Sequence, residues 1–177
     1  MTAVRVVVGD ITRLDEQGEP VDVIVNAANE RLAAGSGVCG AIFAAAGPAR
    51  LAEACAEIGG CPTGAAVDTP AFALEARGVG HIVHAVGPVF GAHDPAESDR
   101  LLTSAYRSVL ATVDDLGAER VAIPAISTGV YGFPEERAAA IAAAVVIGHE
   151  GPVREVLLVA FDDRAAAVLQ EAVDRAS

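Results

Sequence analysis

The sequence predicts an α/β fold, a mostly parallel sheet covered on both faces by helices. Three observations predict it. Runs such as residues 21–25, 121–126 and 155–160 are apolar through their centres, as strands buried on both faces are. From the second strand onward, strand patterns alternate with helix patterns. Glycine-bearing and polar segments then follow the strands directly, where ligands sit in such sheets, outside the carboxyl ends.

In chain order, residues 4–8 read as a short buried strand ended by Gly9-Asp10-Ile11-Thr12. Asp10 suits a turn or helix cap. Residues 12–20 are polar and read as a loop, and residues 21–25 are the second strand. It runs into Asn26-Ala27-Ala28-Asn29, then into the glycine-bearing stretch 32–40 and an apolar helix over 41–46. Asn26 and Asn29 both donate and accept, which suits sugar hydroxyls; the alternative is that they bond neighbouring backbone. Gly47-Pro48 punctuates before an amphipathic helix over 49–58. A turn at 61–64 leads to a weak strand over 65–69. Residues 80–86 form a firm strand carrying His81 and His84, stopped by Gly87-Pro88. A histidine inside such a strand reads as a packed, hydrogen-bonded structural group.

Asp94-Pro95-Ala96-Glu97 reads as a helix start with Pro in the first turn and a capping-box Glu. The helix shows Leu102, Tyr106, Val109, Val113 and Leu116 at spacings of three and four. The strand over 121–126 feeds Ser127-Thr128-Gly129-Val130-Tyr131-Gly132, and Pro134-Glu135-Glu136 opens a helix that is alanine-rich over 138–147. A strand, a glycine-bearing loop and a helix together can hold phosphate, because glycines let backbone N–H groups approach closely. The spacing is neither that of a P-loop nor of a dinucleotide fingerprint. Residues 155–160 form the last strand, ending in Phe161, and a helix over 165–173 follows.

The chain of 177 residues is expected to be one domain, 1–177, long enough to bury a core. Hydrophobic residues make up 53% and aromatics 4%, so that core is aliphatic. The net charge is -12, and all 12 basic residues are Arg. Without lysine, Schiff-base chemistry and the Walker lysine are excluded. The acidity argues against tight, non-specific attachment to nucleic acid backbone. Cys39, Cys55 and Cys61 are odd in number with no C-x-x-C pair, so free thiols are expected, with neither disulfide nor metal site. No signal-peptide pattern and no apolar run long enough to span a bilayer is present, and a soluble, cytoplasmic protein is expected.

Taken together, Asp10, the two asparagines, the two glycine loops and Phe161 fall at strand ends and converge on one crevice. That inventory fits a nucleotide diphosphate: a ring to stack, an exocyclic amine to bond, sugars and a pyrophosphate.

At these residues the sequence resembles the macrodomain family. The carriers are Gly-Asp-Ile-Thr at 9–12, Val-Asp-Val-Ile-Val-Asn-Ala-Ala-Asn at 21–29 and Gly-Ser-Gly-Val at 35–38. Cys-Pro-Thr-Gly at 61–64, His-Ile-Val-His-Ala-Val-Gly-Pro at 81–88 and Pro-Ala-Ile-Ser-Thr-Gly-Val-Tyr-Gly-Phe-Pro at 124–134 complete them. They come in the family's order over nearly the whole chain and are most similar to the branch of ADP-ribosyl hydrolases and O-acetyl-ADP-ribose deacetylases. The resemblance implies a three-layer α/β/α sandwich around a six-stranded mixed, mostly parallel sheet. It implies that Asp10 accepts the adenine amine beside the Ile11 backbone, and that Phe161 stacks on the adenine. Gly35, Ser36, Gly37 and Val38, with Cys39 behind them, face Ser127, Thr128, Gly129, Val130 and Tyr131 across the diphosphate. Asn26 and Asn29 serve the sugars; Asn29 holds the distal ribose and Tyr131 walls it in, which makes Asn29 and Tyr131 the catalytic candidates.

One departure matters. Hydrolytic members of this branch carry an aspartate ten residues after the second Asn of N-A-A-N, and here that residue is Cys39. A thiol is a poor base near neutral pH, and neither Val38 nor Gly40 can move a proton. Three functions remain open: a hydrolase of ester-linked ADP-ribose or O-acetyl-ADP-ribose, a non-catalytic reader of ADP-ribose, and a hydrolase acting on ADP-ribosylated nucleic acid. The expected partners are ADP-ribose and ADP-ribosylated protein, with nucleic acid only as a modified substrate, no cofactor, no membrane and a monomeric chain.

Overall fold

The computed structural model describes residues 2–177. Its sheet has six strands in the order β1-β6-β5-β2-β4-β3: β1 (Ala3–Val8), β2 (Val23–Ala28), β3 (Ala66–Pro70), β4 (His81–Val86), β5 (Arg120–Pro124) and β6 (Glu155–Ala160). Every pairing is parallel except that of β3 with β4 at one edge. Five carboxyl strand ends therefore share one rim of the sheet.

Because strand side chains alternate between faces, the apolar centres of the strands build two cores at once. Val23, Val25, Val121, Ile123, Val156 and Leu158 face α3 (Pro95–Asp115), α4 (Glu135–Ile147) and α5 (Asp163–Ala176). Ile24, Ala122 and Leu157 face α1 (Gly37–Ala46) and α2 (Pro48–Ile58), where Ile42, Phe43 and Leu51 are buried. Each such side chain contributes about 1.5–3 kcal/mol when fully buried. The result is the expected three-layer sandwich.

Several boundaries differ from the sequence reading, and α1 begins at Gly37 rather than at residue 41, so the glycine stretch supplies the helix start itself. Residues Ile11–Gln17 are a 3₁₀ helix rather than a loop: Asp10 caps its start and Leu14 is buried beneath it. A second 3₁₀ helix, Phe72–Arg77, was not anticipated. β2 extends through Asn26 to Ala28, because it pairs with β4 residue for residue from Val23 to Ala28. β5 stops at Pro124, which has no N–H to continue a ladder, so Ala125 and Ile126 belong to the following loop. At the start of α3, Asp94 accepts from the Glu97 N–H at 2.9 Å. Glu97 itself pairs with Arg100 at 2.6 Å instead of closing a capping box.

Candidate functional site

A cleft of about 830 Å³ lies across the carboxyl ends of β1, β6, β5 and β2. Asp10, Ile11, Asn29, residues 35–39, residues 127–131 and Phe161 all line it.

At one end, Asp10 Oδ1 accepts the Thr12 N–H at 2.9 Å and the Thr12 hydroxyl at 2.7 Å. The carboxylate is thus a helix cap that still holds its second oxygen in reserve. Ile11 beside it is buried. Phe161 is 92% exposed, an uncovered apolar ring at the end of β6.

The first wall is the start of α1. Ser36 is the N-cap residue and makes no side-chain cap bond. Among the described residues the N–H groups of Gly37, Val38 and Cys39 therefore have no partner, as at any uncapped helix start, and such a start attracts anions. Gly40 holds the preceding loop against the helix: a Cβ there would lie 2.7 Å from the Gly35 carbonyl oxygen.

The second wall is residues 127–133. Phe133 N–H bonds Ser127 O at 2.9 Å, Gly132 N–H bonds Gly129 O at 3.0 Å, and Phe90 N–H bonds Tyr131 O at 2.8 Å. The Phe90 and Phe133 rings meet edge to face at 5.0 Å. Ser127 sits at φ 68°, and a Cβ at Gly87 would lie 2.1 Å from its Oγ. Gly87 lines the cleft and must be glycine for this loop to seat. The sequence signal for it, Gly-Pro after the strand at 80–86, reads only as a strand stop.

The far end holds the reactive candidates. Asn29 is half-buried; its Nδ2 donates to Ala33 O at 2.9 Å and its Oδ1 accepts Ala33 N–H at 3.1 Å. Cys39 is buried in the first turn of α1 with Sγ 3.8 Å from Ala33 O. Burial, then the Glu30 carboxylate and the Cys39 thiol, push the Tyr131 hydroxyl above its ordinary pKa, so it remains a hydrogen-bond donor at neutral pH.

Asn26 is a correction. It is 1% exposed, lies inside β2 and does not line the cleft. Its Nδ2 meets His84 Nδ1 at 3.0 Å, and His84 Nε2 meets Thr69 Oγ1 at 3.0 Å. With Nδ1 accepting, Nε2 carries the proton toward Thr69. Burial pushes His84 down to about 4, so it is neutral and structural, as a strand histidine suggests. The polar pair is the sequence signal: each is the partner the other needs inside an apolar sheet.

Among the described residues no group of three His, Cys, Asp or Glu could hold a metal ion. No lysine, arginine or histidine lines the cleft. The donors an anion would meet there are backbone N–H groups and uncharged side chains such as Ser36, Thr128 and Tyr131.

A family model described as Macro domain matches residues 25–142. A macro domain-containing protein of Streptomyces coelicolor is 48% identical over 170 residues, covering 93% of this chain and 95% of that protein. A Klebsiella pneumoniae protein named O-acetyl-ADP-ribose deacetylase is 46% identical over 171 residues, covering 93% of this chain and 92% of its own. Among solved structures, a mutant Oceanobacillus iheyensis macrodomain with ADPR superposes with a TM-score of 0.88 at 38% identity, over 97% of this chain and 92% of that one. The Trypanosoma brucei macrodomain in complex with ADP-ribose does so with a TM-score of 0.80 at 31% identity, over 96% and 68%.

Proposed function

The chain belongs to the macrodomain family, and on that footing we propose that it binds ADP-ribose and hydrolyses it from ester linkages. The substrates are mono-ADP-ribose on acidic protein side chains and O-acetyl-ADP-ribose. The observation that carries the reading is a pair of facing glycine-bearing walls, the first with the unspent N–H groups of an uncapped helix start, in a cleft without a cation. Such a site accepts a diphosphate between walls, with Asp10 and Phe161 at the adenine end and Asn29 and Tyr131 at the distal ribose. The named activity of the Klebsiella relative and the ADP-ribose in the Trypanosoma complex support it.

In the reaction, water adds across the ester, releasing ADP-ribose and a free acid. Asn29 orients the ribose, exchanging one of its Ala33 bonds for a sugar hydroxyl. Tyr131 closes the other side and donates. The substrate's own diphosphate takes the proton, since nothing basic adjoins Cys39. A general base contributes about 100- to 10,000-fold, so turnover without one is slow but real, and holding the ribose in place supplies the rest. A single domain over 1–177, monomeric, cytoplasmic and free of cofactor, completes the proposal. Nucleic acid enters only as a modified substrate.

The second reading, a reader that catalyses nothing, is favoured by one observation: Cys39 stands where hydrolases of this branch carry the aspartate. Release of ADP-ribose from a glutamate-linked modified protein and from O-acetyl-ADP-ribose decides between them. The parent and Cys39→Ala should both turn over, Cys39→Asp faster, and Asn29→Ala about 100-fold slower, as for a ribose 1 Å out of place. A parent that binds ADP-ribose and releases none from either substrate is a reader.

A further inference from the structure

Glu30 follows Asn29 directly, and the chain fixes it twice. Its carbonyl accepts the Cys61 N–H at 2.9 Å. Its Oε1 accepts the Thr63 N–H at 3.2 Å and the Thr63 hydroxyl at 2.8 Å. An exposed glutamate ordinarily keeps its rotamer freedom, but this one is seated on the turn over 61–64. That turn rests on the end of β4, where the Gly64 N–H bonds Val86 O at 2.7 Å. Beyond Val86 come Gly87, in the cleft, then Val89 and Phe90, whose N–H bonds Tyr131 O at 2.8 Å. The carboxylate is therefore held at the end of the cleft where Asn29 and Tyr131 lie, just outside the residues that line it.

Its charge is kept and left uncancelled. The bonds from Thr63 hold its carboxyl below the ordinary range, so it is ionised at neutral pH. Elsewhere Arg5, Arg77 and Arg120 each bridge two carboxylates. Among the described residues none bridges to Glu30, and only His93 lends it a favourable charge. Burial and then this carboxylate push the Tyr131 hydroxyl upward, so its field reaches the catalytic end. The Tyr131 side of that end is apolar, with Val89 45% exposed and Val130 88% exposed.

The ester reaction gives these two surfaces something to choose between. The oxygen of water bonds the acyl carbon, the bond from that carbon to the ribose oxygen breaks, and the ribose oxygen keeps the electron pair and takes a proton. The acyl group departs as a free acid. On the reading above, the acyl chain leaves the cleft between Asn29 and Tyr131, where it passes Glu30.

We propose that Glu30 determines which acyl group is accepted: esters with neutral, apolar chains are taken, and those whose chain carries a second carboxylate are turned away. Thr63 matters because a freely rotating glutamate would swing away from an approaching anion. A like charge fixed close to the chain end favours the neutral ester about tenfold. The inference rests on the hydrolase reading of the cleft and names the substrate class within it.

Hydrolysis of acetyl, butyryl and succinyl esters of ADP-ribose by the full chain tests it. The butyryl and succinyl chains are equally long and differ by a terminal methyl against a carboxylate, so the ratio of their kcat/KM isolates the charge. The parent should prefer butyryl about tenfold at low salt. Most of that preference should vanish in about 1 M NaCl, where screening acts beyond about 3 Å. Glu30→Gln keeps an oxygen for Thr63 and should bring the ratio near one, while Glu30→Lys should reverse it. Glu171→Gln makes the same change in net charge on α5 and should leave the ratio at its parental value. A parent that takes succinyl as readily as butyryl overturns the proposal. So does a preference that survives in Glu30→Gln, or a Glu30→Gln protein that slows all three esters alike, which would make Glu30 a structural residue only. A parent that binds ADP-ribose and hydrolyses none of the three removes the hydrolase reading, and this inference with it.

Discussion

The two walls of the cleft are built from similar residues and held in opposite ways. The first, residues 35–39, owes its unspent N–H groups to a local event, the uncapped start of α1. It rests on a polar foundation: Asn29 clasps Ala33, and beneath α1 and α2 lie Asn26 and the buried His84. The second wall, residues 127–133, is locked by contacts from elsewhere in the chain, with Gly87 against Ser127 and Phe90 against Phe133. One wall is a helix end that any ligand meets as it is. The other is a loop whose shape exists only when the sheet is assembled.

The sharpest way to break the comparison is to strike the second wall through its distant partner. Gly87→Val places carbon where Ser127 Oγ is 2.1 Å and Ile126 Cγ2 2.6 Å away. Overpacking of this kind costs about 1–3 kcal/mol, and displacing the loop should cut turnover about 100-fold or more. Gly129→Ala, in the same loop, meets no protein atom within 4 Å and should melt near the parent. Equal losses of thermal stability in the two variants would show that the loop is not seated by Gly87.

The foundation of the first wall should fail in acid. His84 is pushed from its ordinary 6.5 down to about 4 by burial. Below pH 6.5 the unfolded chain binds a proton there that the folded chain refuses, so stability falls as pH drops toward 4. At about 1.4 kcal/mol per pH unit the full loss is about 3 kcal/mol. Glu19, held below its ordinary value by Arg5, loses its contribution only under pH 4.5 or so, which leaves the window between to His84. Urea denaturation at pH 7, 6 and 5 reads it. A flat profile over that range, or the same slope in His84→Asn, would exclude His84 as the cause.

Asp10 tests the adenine end, which neither wall supports. Asp10→Ala should weaken ADP-ribose binding by about 1–3 kcal/mol, because the adenine amine that we propose it accepts from is then left unpaired. It should also cost about 1 kcal/mol of stability through the lost cap. Binding at parental strength, with only the stability loss, would reduce Asp10 to its bond with Thr12.

The smallest expected effect concerns both walls together. With no cation in the cleft and a net charge of -12, the long-range field opposes a diphosphate. Salt screens that field over about 10 Å at 0.1 M. Affinity should therefore hold or rise a few-fold from 20 to 200 mM NaCl, whereas a cationic site would weaken. A steep fall with salt would reveal a basic group at the ligand.

Much of this protein was legible in order of residues. Apolar strand centres alternating with helices determine the layered sheet, and the glycine loops, Asp10 and Phe161 stand at strand ends by sequence position alone. The tertiary structure decided what depends on partners far along the chain. Asn26 reads like Asn29, yet His84, 58 residues away, draws it into the sheet while Asn29 stays at the cleft. Gly87 reads as a stop, yet it seats Ser127. Tyr106 reads as one more core residue on a helix stripe, yet its buried hydroxyl accepts the Ile126 N–H just after β5. Periodicity and turn chemistry act between neighbours, so a linear pattern carries them. A side chain's hydrogen bonds and free volume are settled by what the fold brings against it.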